Sequence, residues 1–154
     1  PDIADSAAGY IAEAPDHTIV FFKLCFADFW ATSPQDVRAN VDENLGYVQR
    51  VVDASQARGL PLVIGNALPM VESDTTPSLV ETHLAYNAGL EEIAAGYDDV
   101  YVFDQYSVVS SGDGTLIRGY AVDPSDSHLN DVAYVDLDQA FFSFMKENLP
   151  PVGG

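Results

Sequence analysis

Three short apolar runs, separated by longer amphipathic stretches, constrain this chain more than any other feature. Thr18 to Phe26 is almost continuously β-branched, aliphatic or aromatic, with Lys23 as its only charge, and Leu60 to Ala67 and Val100 to Phe103 are of the same kind. Continuous apolar runs bounded by turn residues are the pattern of strands covered on both faces, which is what a parallel sheet requires. The stretches between them read as helices. Ser33 is placed to cap a helix, Pro34 occupies a first position where its missing N–H is not needed, and Asp36 lies at the positive end of the peptide dipoles. Val37, Val41, Leu45, Val48 and Val52 then follow at helical spacing, and Gly59 ends the stretch.

Further helices are expected between Pro1 and Ala14, from about Ser78 to Ala95, and after a cap at Asn130 or Asp131, the last carrying Ala133, Leu137, Phe141 and Phe144 inward and stopping at Pro150-Pro151. Ser107 to Ser127 is polar and contains Ser111-Gly112-Asp113-Gly114, so a turn followed by a long loop is expected there. Strands alternating with helices predict an α/β fold, a three-layer α/β/α sandwich around a parallel sheet joined by right-handed crossovers. At 154 residues the chain suits a single domain.

Charge narrows the function. With 24 Asp and Glu against 6 Lys and Arg, the formal charge is -18. Such a surface repels nucleic acid and anionic membranes, so neither is an expected partner. Cys25 is the one cysteine, which excludes an intrachain disulfide and a zinc-finger type of site. Its position in an apolar run predicts a buried, inert thiol. No Gly-x-Ser-x-Gly elbow, phosphate loop or dinucleotide fingerprint is present, the acidic loops match no EF-hand spacing, and no metal or cofactor is expected.

In open α/β sheets the ligand site lies beyond the carboxyl ends of the strands. Ala27-Asp28, Asn66 to Met70 and the residues from Asp104 onward emerge there, and the segment Asp123-Pro124-Ser125-Asp126-Ser127-His128-Leu129-Asn130 returns to the same edge. A histidine just ahead of a helix and oriented by a carboxylate is a general-base arrangement. His128 is the candidate base, with Asp126 preferred over Asp123 as its partner. The other reading of His128 is a histidine that structures the helix entry. His17 and His83 have no partner pattern, and His83 is expected along a helix face.

The order of these parts resembles the SGNH (GDSL-type) hydrolases. Leu24-Cys25-Phe26-Ala27-Asp28 stands in place of that family's Leu-Gly-x-Asn-Asp strand end, Leu62-Val63-Ile64-Gly65-Asn66 followed by Ala67-Leu68-Pro69 in place of its next strand and proline, and Asp113-Gly114-Thr115-Leu116 in place of the turn before its catalytic loop. Ser127-His128-Leu129-Asn130 is similar to its Asp-x-x-His-Pro/Leu-Asn ending. The resemblance runs from about Asp16 to Asn148. It implies a flavodoxin-like sheet and a Ser-His-Asp esterase, lipase or deacetylase chemistry on an ester or acetylated small molecule or carbohydrate, with His128 and Asp126 as catalytic residues.

The resemblance also implies that the nucleophilic serine belongs to strands upstream of Thr18. Residues 1–154 are then a single hydrolase-like domain without its first two strands, and the chain alone is expected to have little or no hydrolytic activity. Ser6, in Asp5-Ser6-Ala7, imitates the family's Gly-Asp-Ser but reads as a helix-start serine. Ala27 stands where the family has an oxyanion-binding asparagine. The alternative function is a non-catalytic binding or assembly module that pairs through an exposed strand edge, with a missing N-terminal piece, another subunit or itself. The start at Pro1 and the habits of the resembling family make a secreted or extracellular location the expectation.

Overall fold

A computed structural model describes residues 2–149. The three apolar runs form a parallel sheet in the order β1 (Val20–Lys23), β2 (Leu62–Gly65), β3 (Val100–Phe103), with Phe21 opposite Val63 and Val63 opposite Tyr101. The connections are α2 (Pro34–Arg58) and α3 (Pro77–Ala94), preceded by α1 (Ile3–Glu13). A short α4 (Gln105–Val109) follows β3, then a hairpin of β4 (Ala121–Asp123) and β5 (Asp126–Leu129), and finally α5 (Asp131–Asn148).

Local chemistry sets the helix limits. The Ser33 hydroxyl accepts the Asp36 N–H, and Gly59 closes α2 in the left-handed conformation at φ 61°, where a side chain would be strained. In α3 the cap is Thr76, whose hydroxyl accepts the Leu79 N–H at 3.1 Å, with Pro77 in the first turn. Asn130 caps α5 through the N–H groups of Val132 and Ala133.

The pleat sends alternate strand residues to opposite faces. Phe22, Leu62, Ile64 and Val100 join a core with the buried sides of α1, α2 and α3, including Val48, Val52, Tyr86 and Leu90. Val63 and Phe103 join a second core with Leu137 of α5 and with Val109, Leu116 and Ala121. Phe141 of α5 lies edge-on to both Phe21 and Phe103, with ring centroids 5.2 Å apart in each pair. Helices therefore cover both faces of the sheet.

Several expectations change. β1 is shorter than the apolar run that contains it, because Cys25 opens a 3-10 turn, Phe26–Asp28, in which the Asp28 carboxylate accepts the Cys25 N–H at 2.7 Å. Leu24 is the last fully buried residue of the run, and Phe26 packs half-buried against the second core. Cys25 is exposed rather than buried, since the chain has already turned away from the sheet. Among the described residues β1 lies at the margin of the sheet, with β2 as its one hydrogen-bonded neighbour, and Phe21 is 44% exposed. The polar stretch from Ser107 to Ser127 is more ordered than a long loop. Asp104 caps α4 by accepting the Ser107 N–H, Ser110 bridges Leu116, and the Asp123 carboxylate accepts both the N–H and the hydroxyl of Ser125 to turn the hairpin. The expected stop at Pro150-Pro151 lies outside the described residues.

Candidate functional site

Three strand ends and the β4–β5 hairpin gather at the carboxyl edge of the sheet, and buried amides hold them there. The Asp28 carbonyl accepts from the side chains of Asn40 and Asn44, both buried in α2, at 3.0 and 3.1 Å. Asn66, directly after β2, donates to Asp104 Oδ1 at 2.7 Å and accepts the Tyr106 N–H at 2.8 Å, tying the ends of β2 and β3 together. Burial works against ionisation of Asp104, but hydrogen bonds from Ser107 and Asn66 outweigh it and hold the carboxyl below its ordinary range. The Asn66 amide is occupied by this scaffold role.

The hairpin has two faces with different tasks. Ser127 is buried, and its hydroxyl accepts the Val71 N–H at 3.1 Å, which anchors β5 to the connection after β2. Asn130 adds a second anchor, donating to the carbonyls of Gly119 and Ala121 at 2.8 and 3.0 Å. Because neighbouring strand residues point opposite ways, His128 is presented on the outer face.

There the His128 Nδ1 lies 2.5 Å from Asp126 Oδ1, and the same oxygen accepts the His128 N–H at 2.9 Å. Those two bonds, the backbone one first, lower the Asp126 pKa. An ionised carboxylate only accepts, so Nδ1 is the donor to Asp126, and Nε2 makes no hydrogen bond among the described residues. The ring stands edge-on to Phe26, with centroids 5.1 Å apart, and its side chain is 70% exposed. These contacts orient the His128 ring beyond the end of β1. The two sequence candidates, His128 and Asp126, are thus in direct contact.

Among the described residues no serine, threonine or cysteine side chain hydrogen-bonds His128. Ser6 is exposed on α1. That helix is held along the second half of α2, where Arg50 pairs with Asp2 and Arg58 donates to the carbonyls of Ile11, Ala12 and Ala14. The Asp28 turn is held by Asn40 and Asn44 of the first half, so Ser6 and His128 are not brought together. Ala27 is exposed in the 3-10 turn and offers no side-chain donor.

A cavity of about 670 Å³ lies on the Ser127 side of the hairpin, lined by Val71, Glu72, Asp113, Leu116, Arg118 and Pro124. Neither His128 nor Asp126 lines it. Hydrogen bonds from the hydroxyls of Ser111 and Thr115 and the Thr115 N–H bring the Asp113 carboxyl to a pKa of about 2. Among the described residues no three His, Cys, Asp or Glu side chains are grouped to hold a metal ion.

One polar cluster escaped the sequence reading. His83 is completely buried, with both ring nitrogens unpartnered, packed edge-on against Phe29 and Tyr106 at 5.1 and 5.8 Å between centroids. Burial pushes its pKa down to about 4. The Tyr86 hydroxyl, one turn along α3, is also buried and unpartnered, and burial raises its pKa. Both rings support Phe29, immediately after the Asp28 turn. A polar residue at the i+3 position from an aromatic carries no signal of this in sequence.

No protein-family model matches the chain, and no curated protein matches it either. A solved structure from Bacteroides fragilis, described as a "putative acylhydrolase", superposes with a TM-score of 0.63 at 16% identity, over 97% of this chain and 72% of that one. At that identity the likeness is one of fold. This chain therefore has a mixed α/β, hydrolase-like fold.

Proposed function

We propose that this chain carries the base-bearing part of an SGNH-type ester hydrolase, built on a three-layer, flavodoxin-like sandwich. The observation that carries this reading is the His128–Asp126 contact of 2.5 Å at the carboxyl edge of a parallel sheet, with Nε2 unengaged. In this chemistry a serine hydroxyl attacks an ester or acetyl carbonyl while His128 takes its proton. His128 then returns the proton to the departing alkoxide, and a water repeats the cycle on the acyl-enzyme. Asp126 is a positioning residue that fixes the tautomer and stabilises the imidazolium. The serine comes from polypeptide outside residues 2–149, since no described serine, threonine or cysteine side chain hydrogen-bonds His128. The substrate class is esters or acetyl groups on small molecules or carbohydrates, and a secreted location goes with it.

Labelling the protein from its source with a fluorophosphonate probe, read by intact mass and peptide mapping, tests this. The labelled serine is expected on a peptide other than those of residues 2–149, and His128→Ala is expected to abolish the labelling. Undiminished labelling in that variant would remove His128 from the mechanism.

A second reading is favoured by the exposed methyl of Ala27, where an oxyanion donor would be wanted, and by the open edge of β1. It is a non-catalytic module that keeps the scaffold for binding or assembly. Complete absence of labelling in the folded source protein selects it.

A further inference from the structure

The cavity of about 670 Å³ on the Ser127 side of the hairpin combines aliphatic surface with charges of both signs. Its aliphatic part is Val71, Leu116 and Ala121, all buried, together with Pro124. That part is held rigidly: the Ser127 hydroxyl accepts the Val71 N–H at 3.1 Å, and the Leu116 N–H donates to the Met70 carbonyl at 2.7 Å. Its charged part is Glu72, Asp113 and Arg118. Asp113 is fixed with one oxygen occupied. Oδ1 accepts from the Ser111 hydroxyl, from the Thr115 hydroxyl at 2.7 Å and from the Thr115 N–H at 3.1 Å, while Oδ2 has no hydrogen-bond partner among the described residues. Arg118 is exposed and makes no ion pair or hydrogen bond among the described residues, whereas Arg50 and Arg58 are both tied to α1. The volume falls within the range of about 300–1,000 Å³ usual for small-molecule sites.

We propose that this cavity binds a short zwitterionic peptide of aliphatic residues, its carboxylate on the Arg118 guanidinium, its ammonium on Asp113 Oδ2 and Glu72, and its side chains against Val71, Leu116 and Pro124. Three observations select this class. Two carboxylates against one guanidinium leave the lining with excess negative charge, in a chain of formal charge -18, so phosphate esters and dicarboxylates are repelled. A ligand that is only a cation leaves Arg118 unused, whereas a zwitterion engages both signs in charge-assisted hydrogen bonds. Among the described residues none that lines the cavity is aromatic, so it offers aliphatic contact in place of the ring face on which a sugar would stack. The anchored lining keeps the ordering cost of binding small. This site is separate from the hydrolytic one, since neither His128 nor Asp126 lines the cavity, and the proposal holds whether or not the chain takes part in ester hydrolysis.

The test is NMR titration of the isotope-labelled full protein with leucyl-alanine, read at the amide resonances of Val71, Leu116 and Arg118. Saturable shifts are expected there, with binding weakened about tenfold or more in Arg118→Gln and in Asp113→Asn, each of which removes one charge-assisted pair. Asp113→Asn keeps the Oδ1 acceptor on which the Ser111–Thr115 turn depends, so it separates lost charge from lost structure. N-acetyl-leucyl-alanine and leucyl-alanine amide, each lacking one of the two charges, are expected to bind the unaltered protein about tenfold more weakly than leucyl-alanine. No saturable shift up to about 10 mM, where even a site of millimolar affinity would fill, would overturn the proposal in favour of a solvated cavity. Tighter binding of methyl glucoside or inorganic phosphate than of leucyl-alanine, or undiminished affinity in Arg118→Gln, would overturn the assigned ligand class.

Discussion

The Ser127 hydroxyl accepts the backbone N–H of Val71 at 3.1 Å on the buried face of β5, directly behind the face that presents His128. This bond between distant parts of the chain, with the Asn130 anchor, helps set where the candidate base stands. Ser127→Ala leaves the Val71 N–H buried without a partner, which costs about 1–3 kcal/mol. Urea denaturation is expected to show this loss, while Ser125→Ala, which removes an exposed turn hydroxyl, changes stability far less. Equal effects of the two would contradict the anchoring role.

The contact between Asp126 and His128 predicts a graded shift. The Asp126 carboxyl titrates below the ordinary 3.8, chiefly through the His128 backbone N–H and then through the ring. Carbon-detected NMR titration should give a midpoint under that value. In His128→Ala the midpoint rises but stays below 3.8, because the backbone bond survives. The stability this group contributes is present above its unfolded pKa and is lost as pH falls through the folded one.

His83 makes the fold sensitive to mild acid. Its folded pKa of about 4 lies below the unfolded 6.5, so the unfolded chain binds more protons between these values. Stability is full above pH 6.5 and falls as pH drops toward 4, by up to about 3 kcal/mol at 1.36 kcal/mol per unit. Urea midpoints at neutral pH and near pH 4.5 are expected to differ in the wild type and to converge in His83→Leu. A variant that keeps the full difference would show that another group is responsible.

Exposure of Cys25 predicts stoichiometric reaction with Ellman's reagent in the native protein. If the thiol reacts only after denaturant is added, the turn after Leu24 is wrongly placed.

Gly114 adopts φ 84°, and a Cβ there would meet Val80 at 2.8 Å and the Tyr106 hydroxyl at 2.9 Å. Gly114→Ala combines left-handed strain with a clash, and a loss of about 1–3 kcal/mol is expected in thermal or urea unfolding. Gly112→Ala, in open space in the same turn, serves as the comparison.

What could be read from the sequence was whatever is written within one or two turns of chain. The Ser33-Pro34 start and Gly59 stop of α2, the Asn130 cap of α5 and the three apolar strands depend on local backbone chemistry and periodicity, and each stands where those rules place it. His128 and Asp126 were also accessible, because a contact at |i−j| of 2 needs no knowledge of the fold. Local patterns mislead where a distant partner decides. Val71 and Tyr120 convert a polar stretch into an anchored hairpin, whereas Cys25 is turned out of its apolar run by a local bond to the Asp28 carboxylate three residues on. Phe29 and Tyr106 enclose a histidine that sequence left on a helix face. Sequence by itself determined the order of the elements from α1 to β3, the last helix and the chemistry that each strand end offers, since these follow from side-chain type and spacing, but it left α4 and the β4–β5 hairpin as a loop. Tertiary structure alone decided that the His83 ring is buried and which face of β5 holds His128, because burial and facing are properties of neighbours brought together by folding.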